Sequence, residues 1–161
     1  MPAVSRWCIR AALVHLVAGM AVGAWALTET ALDRAPGGPW RPIHTHLLLV
    51  GFLLLLVVGV AHWMFPRRDG RRVGRAGAWA ALVLVNAGLL GRIAAELALE
   101  RGGGSPWRAL LAVSAWLPVA GILAFAVGAW PRVRAALDPE EARRLRARRA
   151  ATAPPEGGRG T

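Results

Sequence analysis

The chain has no tyrosine, no lysine and a single cysteine in 161 residues. Without lysine, its positive charge falls wholly to arginine: 20 basic residues face nine acidic ones, for a formal net charge of +11. One cysteine, Cys8, excludes a disulfide framework and a cysteine-based metal motif, and its place at a helix start reads as packing. There is no nucleophile set beside a base, no glycine-rich phosphate loop and no carboxylate pair, so hydrolytic and phosphoryl-transfer chemistry find no support. Charge itself is missing over long stretches: Leu47 to Ala61 carries neither a charged nor a polar side chain.

What is present is apolar and segregated. Hydrophobic residues make up 55% of the chain and mean hydropathy is +0.41 despite the arginines, so apolar blocks and basic flanks must alternate. Four blocks, about 7–27, 42–65, 77–99 and 107–130, reach the roughly 20 residues that cross a bilayer core. The first is too long for a signal-peptide core and lacks a small-residue cleavage site, so it is expected to be retained. The fold class is all-α: an integral membrane four-helix bundle over residues 1–137. A basic, largely disordered tail follows over 138–161, in which DPEEARRLRARRA could lie as a short helix on the membrane surface. The basic flanks point to anionic lipid as the partner and not to nucleic acid.

The arginines also orient the bundle. Two lie in the N-terminal flank, five in the connection RRDGRRVGR and eight after Pro131, against four in the two opposite loops. Fifteen against four predicts that both termini are cytoplasmic. Trp7, Trp63, Trp79 and Trp130 fall at the cytoplasmic ends and Trp25, Trp40 and Trp107 at the outer ends, where an aromatic belt belongs.

The candidate site residues are the polar groups inside the spans. All four histidines belong to the first two helices: His15 in the first, and His44, His46 and His62 in PIHTHLLLVGFLLLLVVGVAHWMFPR. Histidine in a membrane span is a site hypothesis that needs a named partner. His44 and His62 are 18 residues apart, about five turns, so a regular helix puts them on one face with Gly51 and Gly59. The two glycines leave room for a flat ring or another helix against that face. His46 points about 200° away from His44, which argues against the H-x-H chelating one copper or zinc ion from a regular helix. Gly19 and Gly23 form a small-xxx-small pair in the first helix. In the third, Arg92 and Glu96 are spaced to pair on one face, with Glu96 at the depth of His46 and able to orient it. Asn86 is expected to bridge helices, and Pro118 to kink the fourth. With the first two helices antiparallel and their ends level, His15 falls opposite Leu54 and His44 opposite Trp25.

HTHLLLV at one end of the second helix and HWMFP at the other resemble the second transmembrane helix of the haem-copper oxidase catalytic subunit. The likeness is greatest to the large subunit of bacterial nitric oxide reductases and covers Trp7 to Arg67. In that superfamily the opening histidine ligates a low-spin haem, so the resemblance implies a haem b ligand at His44 and a bacterial inner membrane location. Outside the stretch that the resemblance covers, the functional reading of Arg92 is a clamp on a haem propionate. A second axial ligand would come from a respiratory-chain partner, from a second copy in a homo-oligomer, or from His46 through irregular backbone. Four helices cannot supply the superfamily's remaining haem and copper ligands, and no tyrosine is available for a histidine-linked cofactor. Reduction of oxygen or nitric oxide by this chain alone is therefore not expected.

Three functions follow: a haem protein in electron transfer or diatomic-gas binding, with His15 and His62 as further ligand candidates; a cofactor-free accessory or assembly subunit whose histidines bond across helices; and a copper-handling protein built on His44, His46 and Glu96. The charge distribution makes a first prediction. A reporter active only in the cytoplasm, fused at the C-terminus, should be active; activity only of a periplasmic reporter there would reverse the topology.

Overall fold

Each apolar stretch forms one long helix: α1 (Ala3–Ala31), α2 (Trp40–Met64), α3 (Arg75–Glu100) and α4 (Ser105–Ala129). The computed structural model describes residues 1–34, 37–65 and 74–130, with positions 133, 143–144 and 147–148. Most of the arginine-rich connection and most of the tail expected to be disordered lie outside the described residues. Among the described residues there is no strand, and all four helices are long and apolar enough to cross a membrane.

The helix ends follow local chemistry. Gly102, at φ +85°, turns the chain out of α3, and the Gly103 N–H returns to the Ala98 carbonyl at 2.9 Å, closing the helix with a left-handed cap. Pro106 stands in the first turn of α4, where its missing N–H costs nothing. The tight turn between them makes α3 and α4 an antiparallel hairpin. α1 runs four residues past Leu27, the end of the apolar block, and there Thr28 and Thr30 return their hydroxyls to the Ala24 and Ala26 carbonyls at 2.9 Å. At its other end Arg10 lies over the Trp7 ring, 5.6 Å from the centroid.

Burial is reversed relative to a water-soluble bundle. On α4, Trp116, Val119, Leu123 and Val127 face outward while Ser114 is buried. Leu13, Val14 and Val17 on α1 and Leu49, Leu53 and Val57 on α2 are likewise exposed. A continuous apolar exterior of this kind is stable against lipid and not against water. Lipid supplies little hydrophobic drive between helices, so close packing of small residues must hold the bundle together. Ala78, Ala81, Gly88 and Ala95 of α3 and Gly121 and Ala129 of α4 are all buried.

α1 packs on α2 and α3, whereas α4 leans almost wholly on α3. Glycine sets that hairpin. Gly74 meets the Gly128 backbone, Gly77 meets the Ala124 carbonyl, and Gly121 meets Ala81. α4 continues as a helix through Pro118. Proline at that position removes the N–H that would answer the Ser114 carbonyl, and Gly88 lies against that carbonyl and the proline ring. Three clusters of buried side chains stack along the helix axes. Val4, Cys8 and Val58 sit towards one end, Ala12, Leu55 and Val85 in the middle, and Ile43, Leu47 and Leu89 towards the other.

α2 is not regular throughout. Leu47–Leu54 winds as a wide π-type helix between two α-helical stretches. Such turns consume an extra residue and are frequent where a helix has to re-aim its side chains.

The hairpin packing makes a second prediction. A side chain at Gly88 would begin 2.6 Å from Pro118 Cδ and 2.8 Å from the Ser114 carbonyl. Gly88→Leu should therefore cost about 1–3 kcal/mol of stability. Gly91→Ala, whose added carbon would sit 3.4 Å from its nearest neighbour, should be neutral or stabilising by up to about 1 kcal/mol. Thermal unfolding of the detergent-solubilised protein compares the two.

Candidate functional site

The polar groups of the spans form three separate arrangements. The first crosses the middle of the bundle. His15 of α1 is 7% exposed, and its Nε2 lies 2.8 Å from Asn86 Oδ1 on α3. The Asn86 amide nitrogen donates to the Leu82 carbonyl at 2.7 Å, which turns its oxygen to His15. His15 Nε2 is therefore the donor. Gly51 of α2 makes the crossing possible, because a methyl group there would stand 2.6 Å from His15 Cγ and 2.8 Å from Leu89. Of the two occupants the sequence allowed over the Gly51 and Gly59 face, another helix is the one found. At Gly51 it is the His15 ring of α1, and at Gly59 it is Ser5, Cys8 and Ile9. Both glycines are therefore in close contact with α1.

The second arrangement centres on His44. Its Nδ1 lies 2.8 Å from the Gly19 carbonyl of α1. A carbonyl only accepts, so Nδ1 carries the hydrogen and a neutral ring leaves its lone pair on Nε2. The ring rests on Gly23, where a side chain would begin 2.5 Å from His44 Cε1. The Gly19–Gly23 pair thus serves as a seat for imidazole as well as a helix contact. Beside the ring opens a cavity of about 570 Å³, lined also by Leu27, Thr30, Trp40 and Arg41. Trp40 is held edge-to-face against Trp25 at 4.8 Å, and its indole N–H donates to the Gly37 carbonyl. The register differs from level ends: His44 meets Gly23 and not Trp25, a displacement of two residues.

The third arrangement lies on the flank between α2 and α4. His46 donates from Nδ1 to the Pro42 carbonyl one turn back, at 2.8 Å, and not to Glu96, the partner that its depth suggests. Glu96 instead holds Arg92, with Oε1 2.8 Å from Nη2. Arg92 Nε and Glu96 Oε2 are buried with no partner among the described residues. Arg92 and His46 line an open groove with Ser114.

The structure therefore separates residues that the sequence grouped. Arg92 lines the His46 groove, and the guanidinium at the His44 cavity belongs to Arg41. His62 is buried near the Met64 end of α2, far along the helix from His44. No group of three histidine, cysteine or acidic side chains able to hold a metal ion occurs among the described residues, so His44, His46 and Glu96 do not form one donor set. Asn86 was expected to bridge helices; that its partner is His15 follows only from their common depth. Arg41 and Trp40 read as flank residues in the sequence, and the first turn of α2 places them at the cavity.

Fold and site together define a class: a multi-pass, all-helical membrane protein with histidine-bearing cavities on its flanks. Comparison with protein-family models, with curated proteins and with solved structures returns no significant match.

The central hydrogen bond is measurable. In the cycle His15→Leu, Asn86→Leu and the double variant, the coupling should be favourable at about 0.6–1.7 kcal/mol. Equilibrium unfolding in mixed micelles measures it, and zero coupling would mean that the pair is not formed.

Proposed function

We propose that the chain is a small haem-binding protein of a bacterial inner membrane, with cytoplasmic termini, working in electron transfer or diatomic-gas binding with His44 as axial ligand. The observation that carries this reading is the state of His44. Its Nδ1 hydrogen is given to the Gly19 carbonyl, which fixes the ring and its tautomer and leaves the Nε2 lone pair beside a cavity. Metal-ligating histidines are oriented by this kind of outer bond.

The residues fit the group. At about 570 Å³ the cavity falls within the range of small-molecule and cofactor pockets. Leu27 and Trp40 offer it apolar walls, and Arg41 lies at its rim with a charge suited to a propionate. When bound, haem would supply a one-electron couple and a place for a diatomic gas. The protein's part is to hold the imidazole, exclude bulk water with Trp40 and Leu27, and balance the propionate charge. A sixth ligand would come from a second copy of the chain or from a respiratory partner, since His15 is committed to Asn86.

The cofactor-free accessory reading is favoured by a different observation. His15, His44 and His46 each make a hydrogen bond within the protein, and two of those bonds cross between helices. Copper handling has less support, because His44 and His46 are turned to different neighbours.

The chain purified after haem-supplemented expression should show a Soret band. His44→Ala should abolish it or shift its maximum, Arg41→Ala should lower the haem-to-protein ratio less, and His46→Ala and Arg92→Ala should leave the spectrum unchanged. A wild type without haem selects the accessory reading. An unaltered spectrum in His44→Ala would remove His44 as ligand.

A further inference from the structure

One of the eight tryptophans stands apart from the rest. Trp116 lies 11 residues from one end of α4 and 13 from the other, about 16–20 Å from either end of the helix. It is 72% exposed, and its indole N–H has no acceptor among the described residues. Acyl chains carry no acceptor at that depth, and an unanswered N–H in hydrocarbon is costly. Tryptophan belongs at the belts, where its polar edge reaches water, so an indole in mid-span asks for a partner.

α4 also carries the matching acceptor. Pro118 has no N–H, so the Ser114 carbonyl, four residues back, lacks its helical donor. Gly88 of α3 lies against that carbonyl and offers it only carbon, since a Cβ added there would stand 2.8 Å from the oxygen. Ser114, Gly88 and Pro118 all line the open groove between α2 and α4. Its volume of about 590 Å³ is that of a small-molecule pocket, enough for an indole. A helical carbonyl points towards the residue four further on, so this oxygen lies at the depth of Trp116.

Within one chain the donor and the acceptor cannot meet. Ser114 is buried against α3, whereas Trp116 is turned outward. A two-fold axis along the membrane normal brings a second copy to the same depth in the same orientation, and each donor then faces the other's acceptor. The helical wheel agrees. At about 100° per residue, Ala112 and Leu123 fall between Trp116 and the groove-lining Ala115, and both are exposed. Where two α4 helices meet along Ala112 and Leu123, two-fold symmetry lays each Trp116 over the groove side of the other. Ala112 is small enough to let the backbones approach.

We infer that the chain forms a parallel two-fold dimer through α4. The Trp116 indole of each copy enters the groove of the other and donates to its Ser114 carbonyl. An acyl chain fills the groove without answering either group, and a second copy brings both complements. The inference uses neither His44 nor haem, so it stands or falls separately from the haem reading.

Energy transfer between full chains bearing donor and acceptor labels at the C-terminus, in phosphatidylcholine liposomes over a series of protein-to-lipid ratios, tests it. The wild type should follow a monomer–dimer isotherm. Trp116→Phe keeps a ring and removes the N–H, and should weaken dimerisation about tenfold, the scale of two average hydrogen bonds in a membrane. Pro118→Ala returns an N–H to the Ser114 carbonyl and should weaken it by about the same factor, with no further loss in the double variant. Trp116→Phe changes only the outward face of one chain, so it carries the test even if Pro118→Ala alters the packing of α4. The seam is checked by oxidative cross-linking in native membranes with Cys8 replaced by alanine. Ala112→Cys should cross-link to its own copy, and Val14→Cys on the exposed face of α1 should not. Four results would overturn the inference. These are a wild type that stays monomeric at every ratio, whether or not another membrane protein binds it, and a Trp116→Phe chain that dimerises as tightly as the wild type. The others are additive losses in the double variant and equal cross-linking of Ala112→Cys and Val14→Cys.

Discussion

The hydrogen bond from His15 to Asn86 reaches from α1 to α3 past α2, and it exists because Gly51 has no side chain. In hydrocarbon, an imidazole N–H or an amide oxygen without a partner costs several kcal/mol, so the two groups must meet or both must be lost. That requirement fixes three helices at one level. With α1 pinned at His15, the Gly19–Gly23 pair falls one and two turns further along, opposite Leu48 and His44. The position of His44 is therefore downstream of an interaction in which it takes no part.

The same economy explains why the two flanks differ. On the α1 side His44 is drawn inward by a carbonyl of another helix, and its ring becomes part of the wall between α1 and α2. On the α4 side His46 is satisfied within its own helix, and the nearby charge of Arg92 is answered one turn away by Glu96. Neither bond draws α4 towards α2. The groove stays open because the polar side chains along it have been satisfied locally, apart from the Arg92 and Glu96 atoms left without partners.

The helices and their lipid-facing surfaces were readable in the sequence because both depend on composition. Their ends were less so: Thr28 and Thr30 look like loop residues by hydropathy, yet both extend α1 by bonding its carbonyls. The Arg92–Glu96 pair was readable because spacing along one helix is fixed by the sequence, and the pair forms at 2.8 Å. What failed was register between helices. His46 at the depth of Glu96 looked like its partner, but the Pro42 carbonyl one turn below is closer to hand. Arg92 looked like the guanidinium for His44, and it lines the opposite flank. A displacement of two residues between α1 and α2, together with the wide turn at Leu47–Leu54, is enough to reassign neighbours, and no periodicity encodes either.

The wide turn directly follows the two histidines that carry the functional readings. A regular helix from His44 to His62 would carry one face straight down the bundle. An extra residue in a turn rotates everything beyond it by about 100° relative to that line. Leu47–Leu54 begins directly after His46 and contains Gly51, so the residues that accommodate His15 are the ones wound out of register. The chain above the wide turn presents His44 to α1 and His46 to the groove, while the chain below it packs Leu55, Val58 and Gly59 into the core. Any ligand that pulls on His44 or His46 acts on the helix end adjoining that wide turn. Irregular backbone thus adjoins His44 and His46, faces His15 at Gly51, and leaves His62 in the regular stretch beyond it.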